Sequence, residues 1–328
     1  MRPTRPCCAL AIFWKAERAR SSRVLLSISV DLDEIRHYYR IHGLDAASAF
    51  DVVYGRAVPR LSDWARQRGI ALTWFVVGKD LEVAANAEAA TRLVASGDEL
   101  GCHSYSHPYD LTRRPFIEME REVQRGVAVI REKAGVTATG FRAPGYVVSD
   151  TLLSLLLEQG FAYDSSVFPC PSYYALKAAA YAKLMATGRT SAAILDGPDA
   201  LRAPTVPYRV GRPFWLRGTG VWEIPIQVTR RARLPFIGTA ITLAGAIGAR
   251  LLAQGVAGEP LINLELHGID ALDRRDGLEE LAKHQPDLRV PWPKKLDALD
   301  AALAELRRKG YACVRMDELA ARARAGAA

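Results

Sequence analysis

The chain has 328 residues, of which 49% are hydrophobic and 24% charged. That is an ordinary soluble composition with no repeat of solenoid period, which excludes a repeat array and allows one large α/β barrel or two smaller domains. The formal net charge is +8, but residues 1–23 carry +5 of it and the rest only +3. With no stripe of interleaved basic and aromatic residues, the body is not read as a nucleic-acid binder.

Residues 1–22 read as a disordered basic tail, either an unstructured leader or a start codon set too far upstream. A flexible tail held near an anionic surface is the second reading. The apolar run 7–14 is short and is followed by Lys15, Glu17 and Arg18 rather than a small-residue cleavage site, so no signal peptide is expected. The five cysteines (Cys7, Cys8, Cys102, Cys170 and Cys313) are odd in number and form no CxxC pair. This pattern fits free thiols in a reducing compartment and a cytoplasmic protein.

Residues 24–30 form an apolar, β-branched run ending in acids, which predicts a strand, and 70–77 predicts a second. Helical spacing covers 86–96, and 99–103 is a short third strand. A helix is expected over 115–133 with Pro115 at its start. Residues 140–144 make a short strand and turn. The next helix, 149–159, has Ser149 as N-cap and Gly160 just past its end. Strands follow at 221–228 and 261–266, then a helix over 294–309, a strand over 311–316 and a C-terminal helix. Two stretches interrupt this alternation: 169–220, a long insertion, and 234–249, an uncharged run preceded by Arg230, Arg231 and Arg233.

Alternating strands and helices predict a parallel sheet or barrel occupying 23–328. The polar candidates fall just after strands: Asp31 and Asp33, His103 and His107, Arg142, and His267. In a (β/α) barrel those ends carry the chemistry. Asp31 and Asp33 share one strand face, where two carboxylates repel unless a cation or proton separates them. His103 and His107, one helical turn apart in spacing, can point the same way. With Asp33 they form an N, N, O ligand set suited to zinc, and also to cobalt, iron or nickel. Arg142 can clamp a carboxylate. His267 can give a proton near neutral pH, and Asp164 is the candidate to orient it. His37, His42 and His284 are given no role.

Five ordered motifs together resemble the polysaccharide deacetylase, or NodB-homology, family over about residues 24–317. They are Ser29-Val30-Asp31-Leu32-Asp33, His103-Ser104-Tyr105-Ser106-His107, Arg142-Ala143-Pro144-Gly145-Tyr146, Tyr163-Asp164-Ser165-Ser166 and Leu264-Glu265-Leu266-His267. Leu32 separates the two aspartates, as in the D-x-D branch; Gly145 stands where an aromatic is usual; and the fourth motif lacks its usual Trp.

The resemblance implies a distorted (β/α)7 barrel and a divalent metal, Zn2+ or Co2+, Fe2+ or Ni2+. It implies Asp33, His103 and His107 as ligands and Asp31 as general base, though the two aspartates could exchange roles. Arg142 would steady Asp31, and His267, paired with Asp164, would be the general acid. A backbone N–H of Gly145 or Tyr146 would help hold the oxyanion. The implied reaction is hydrolysis of an N-acyl group, N-acetyl first, on an amino sugar of a polysaccharide or lipid-linked glycan.

Rival readings are a deformylase- or allantoinase-like amide hydrolase on the same barrel, and a sugar-binding module without turnover. The run 234–249 reads first as a helix covering the barrel. As an interfacial segment against anionic lipid it would make the protein a peripheral membrane binder and suit a lipid-linked sugar on the cytoplasmic face.

Overall fold

A computed structural model describes residues 24–46, 51–186, 191 and 198–326. The basic tail, with Cys7 and Cys8, lies outside the described residues. The strands are β1 (Leu25–Leu32), β2 (Thr73–Val76), β3 (Glu99–Cys102), β4 (Gly140–Phe141), β5 (Tyr163–Asp164), β6 (Tyr208–Val210), β7 (Arg217–Glu223), β8 (Leu261–His267) and β9 (Ala312–Cys313). Their order is β6-β7-β5-β4-β3-β2-β1-β8, with β9 against β1. Only β6 runs antiparallel to its neighbour. Past β7 the chain leaves the ladder and meets β8: Gln227 N donates to Asn263 O at 3.2 Å. Ile237 bridges Glu265 beside it. The sheet thereby curls into a half-barrel, consistent with the expected distorted (β/α) barrel.

Alternation along β1 explains where the polar residues go. Leu26, Ile28, Val30 and Leu32 join the main apolar core. Ser27, Ser29 and Asp31 take the opposite face, as period two requires, and are equally buried. β8 repeats the pattern in register, pairing Ser27 with Asn263, Ser29 with Glu265 and Asp31 with His267. The barrel interior is therefore a polar column, part of which is held by hydrogen bonds among its own groups. Ser29 Oγ donates to Asn263 Oδ1 at 3.2 Å, and Asn263 Nδ2 donates to Ser165 Oγ at 3.0 Å.

The outer layer holds α1 (Ile35–Ile41), α2 (Val58–Gln67), α3 (Ala84–Ala95), α4 (Phe116–Ala134), α5 (Asp150–Glu158), α6 (Pro171–Ala186), α7 (Gly238–Val256), α8 (Trp292–Arg308) and α9 (Met316–Gly326). Helix α4 places Met119, Val123, Gly126 and Ile130 inward and stops at Gly135, whose φ is 73°. Gly126 is needed for close approach: a Cβ there would lie 2.8 Å from Cys102 Sγ and 3.0 Å from Ser104. Ser149 caps α5, its Oγ accepting from Leu152 N at 3.1 Å.

Helices α1 and α2 were not anticipated. The insertion holds α6, then the β6–β7 hairpin. The strand expected over 221–228 begins earlier, at Arg217, and leaves the ladder after Glu223. The uncharged run 234–249 becomes helix only from Gly238, because Ile237 is extended along Glu265. This helix covers the barrel and buries Ile241, Thr242, Ala249, Ala253 and Val256.

Candidate active site

The C-terminal strand ends bring Asp31, Asp33, His103, His107, Arg142 and His267 together. Arg142, just past β4, is fully buried. Its Nη1 donates to Asp31 Oδ1 at 2.6 Å, and its Nη2 donates to Ser29 Oγ at 2.9 Å and Ser165 Oγ at 2.8 Å. Nε donates to Ser165 O at 2.8 Å. The guanidinium lies over the Phe75 ring, 4.2 Å from its centroid, so a cation–π contact completes its cage. Phe75 fits only because Gly101 lacks a Cβ, which would sit 2.6 Å from the ring.

His103 Nδ1 donates to Arg142 O at 2.7 Å. That bond fixes the tautomer and turns the Nε2 lone pair toward Asp33 Oδ1, 3.2 Å away. His107 Nε2 lies 3.2 Å from the same oxygen. Asp33 Oδ1 and His107 Nε2 are buried without an aligned hydrogen bond among the described residues. Three converging donor atoms of this kind repel unless a cation or proton sits among them. The set therefore fits a divalent ion, and Asp33, His103 and His107 are the residues that would hold it.

The two imidazoles do not converge on a helix. Residues 103–107 form an irregular turn, with Ser104 at φ 62° and His107 at φ 58°. Ser104 Oγ accepts from His107 N at 3.1 Å, and Glu122 accepts from Ser106 N and Oγ at 2.8 and 2.7 Å. His37, from α1, stacks against His107 at 4.3 Å between centroids.

Asp31 and Asp33 have opposite titration behaviour. Burial raises Asp31, and Arg142 and His103 only partly offset this. Burial also pushes Asp33 upward, but His107 and His103 outweigh it and hold the carboxyl well below the ordinary range. Asp31 Oδ2 is buried with no hydrogen-bond partner among the described residues, 3.9 Å from His103 Nε2.

His267 does not pair with Asp164. Its Nδ1 lies 2.8 Å from Glu265 Oε1, two residues back on the same face of β8. Burial pulls the imidazole down, yet the Glu265 carboxylate holds its pKa well above the usual value. Its Nε2 faces the cluster, 4.0 Å from Asp33 Oδ2 and 3.4 Å from Tyr146 Oη. Asp164 sits on β5, opposite Glu223 of β7 in register. Its carboxylate accepts from Ser166 Oγ at 2.8 Å, and Ser166 Oγ accepts from Ala143 N at 2.8 Å. It therefore supports the 143–146 turn rather than the histidine.

Of the two amides considered for an oxyanion, that of Tyr146 is committed, donating to Ala143 O at 3.1 Å. Its side chain faces the site instead and packs on Phe168 and Tyr173, each 5.5 Å between centroids. Tyr173 comes from α6, so the insertion contributes an aromatic wall.

Residues 44–163 match the family model for polysaccharide deacetylase. A peptidoglycan deacetylase from Helicobacter pylori is 29% identical over 154 residues, 45% of this chain and 50% of that protein. A peptidoglycan deacetylase-like protein from Gibberella zeae is 30% identical over 152 residues, 44% of each. Over these residues the chain is similar to the polysaccharide deacetylases. It spans about half the length of the curated relatives it matches.

A Mycobacterium smegmatis protein assigned to the polysaccharide deacetylases shares the fold with a TM-score of 0.59 at 16% identity, over 93% of this chain and 92% of that one. The family match takes in His103, His107 and Arg142; Asp31, Asp33 and His267 lie outside it, and the barrel joins them to it. Glu265 and Phe75 were missed by sequence reasoning. Glu265 stands two before His267, the same i, i+2 signal that singled out Asp31 and Asp33. Phe75 lies in an apolar strand and gave no such signal.

Proposed function

We propose that this chain is a member of the polysaccharide deacetylase family and a metal-dependent hydrolase that removes an N-acyl group, N-acetyl first, from an amino sugar of a glycan. One observation carries the reading: a buried carboxylate oxygen and an imidazole nitrogen flank the same three-ligand cluster, Asp31 Oδ2 beside His103 and His267 Nε2 beside Asp33. A binding module has no use for both. A divalent cation held by Asp33, His103 and His107 would supply Lewis acidity, lowering the pKa of a bound water toward neutrality.

The protein groups do the rest. Arg142 occupies Asp31 Oδ1 and leaves Oδ2 to take a proton from the attacking water. The water oxygen bonds to the amide carbon, and the C–N bond then breaks. His267 Nε2 gives its proton to the departing amine, while Glu265 balances the imidazolium from behind. Acetate and a free amino sugar leave. The aromatic wall of Tyr146, Phe168 and Tyr173 offers flat faces suited to a sugar ring.

The peptidoglycan chemistry named for the curated relatives supports an N-acetylated glycan as substrate, in a polymer or on a lipid carrier. The free thiols of Cys102, Cys170 and Cys313 support a cytoplasmic location. The test is elemental analysis of the purified chain coupled to acetate and formate release from N-acetylated and N-formylated sugars. Metal retention with acetate release is expected. Formate release alone moves the enzyme to the deformylases, and a chain that holds no metal and releases neither acid refutes the proposal.

A further inference from the structure

Helix α7 carries an apolar face that the barrel does not cover. Leu243, Ile247 and Leu251 are 49%, 82% and 62% exposed. Ile247 and Leu251, four residues apart after Gly245, share one helical face, and Leu243 is exposed just before it. The opposite side of α7 is anchored by Ile241, Ala249, Ala253 and Val256, all buried in the core. Gly245, at φ 65° and ψ −178°, breaks the helical run between Leu243 and Ile247. The segment has the length and hydropathy of a bilayer span. Its buried side and its break fix it flat against the protein instead.

Charge at one end of this face says what covers it. Arg230 N donates to Gly255 O at 3.0 Å, which brings the Arg230–Arg231 turn to the C-terminal end of α7. Arg250 is exposed on the helix itself. Gln254 is hydrogen-bonded to Glu305 of α8, which sets Arg308 and Lys309 beside the same end. The acids there, Glu259 and Glu305, are already paired with Arg230 at 3.4 Å and Arg308 at 2.6 Å. Cations therefore outnumber acids next to an exposed leucine–isoleucine face. That is the composition of a helix lying in the headgroup boundary of an anionic bilayer.

We infer that the outer face of α7, with its rim of Arg230, Arg231, Arg250, Arg308 and Lys309, docks the protein on an anionic lipid surface. Exposed apolar side chains enter the acyl boundary, and the guanidinium and ammonium groups meet lipid phosphates. Binding is read without turnover, so it stands apart from the deacetylation chemistry.

The test is flotation of the full chain with vesicles of equal parts phosphatidylglycerol and phosphatidylcholine, and with pure phosphatidylcholine. The wild-type chain should float with the anionic vesicles, and raised salt should weaken this. The triple variant Leu243→Ser, Ile247→Ser, Leu251→Ser should lose at least about tenfold in binding while keeping its circular dichroism and melting transition, since surface substitutions cost little. Arg231→Gln with Arg250→Gln should lose the preference for anionic vesicles. No flotation, flotation unchanged in the triple variant, or equal flotation on both vesicle types overturns the inference. So does a dimer in sedimentation velocity that the triple variant turns into a monomer without any vesicle binding, which assigns the face to a second copy.

Discussion

Glu265 and His267 stand two residues apart on β8, with Oε1 of the first 2.8 Å from Nδ1 of the second. The imidazole is thus oriented by its own strand. Glu265→Gln should lower kcat by about 10²-fold, within the range for a positioned acid, with KM little changed. Asp164→Asn should slow turnover far less, because its carboxylate supports Ser166 and the Ala143 amide. Steady-state kinetics on one soluble N-acetylated substrate decides between them; a larger kcat loss in Asp164→Asn would restore the pairing expected from sequence.

His103 and His107 each place Nε2 3.2 Å from one Asp33 oxygen. Removing either should empty the ligand set, since two ligands rarely hold a catalytic ion. Elemental analysis should find close to one divalent ion per wild-type chain and almost none in His103→Ala or His107→Ala. His267→Ala should keep its metal and lose only turnover.

Arg142 is caged by four hydrogen bonds and the Phe75 face. Phe75→Ala should cost about 3–5 kcal/mol of stability, the usual range for a buried phenylalanine. Arg142→Met strands the Asp31 carboxyl in the interior and should cost about 3–5 kcal/mol, the loss expected when a buried ion pair loses one partner. Urea denaturation with unchanged m-values measures both.

Asp164 and Glu223 oppose each other across β5 and β7, both fully buried. Burial and then the Asp164 charge raise Glu223 well above the usual carboxylate value. A raised carboxyl binds its proton more tightly folded than unfolded. Its contribution is complete below the unfolded pKa of ~4.3 and is lost as pH climbs through the folded value. Glu223→Gln removes that titration. The variant should therefore lose less stability than wild type between acid and alkaline pH, as followed by thermal melts across the range. Equal slopes would show that the pair does not share a proton.

The sequence revealed the chemistry-bearing residues better than their local geometry. Asp31, Asp33 and His267 stood out because a polar residue ending an apolar strand is conspicuous, and the barrel does gather them. The His103–His107 spacing suggested a helical turn, and the chain instead uses two left-handed residues that no spacing rule reveals. Asp164 was a plausible partner because tertiary distance cannot be read from a motif; strand order decides it, and β8 supplies its own carboxylate. The two-residue strand β5 was too short for periodicity, while β4 was expected within 140–144; α1 is only seven residues long, and the helical spacing of Val58, Leu61, Trp64 and Ala65 in α2 was overlooked. The apolar run before α7 was clear, but which of its faces the barrel would bury was not.

Arg142 holds His103 through its carbonyl and Asp31 through its guanidinium. One position thus holds both the ligand cluster and the Asp31 carboxylate, so substitutions at Arg142, Asp31 and His103 will not add up independently in combination. Under the proposed deacetylation, retuning the site toward another acyl sugar has little room at that junction. The freedom lies farther out, where Tyr146 meets Tyr173 and a ring can be resized without disturbing the charges beneath it.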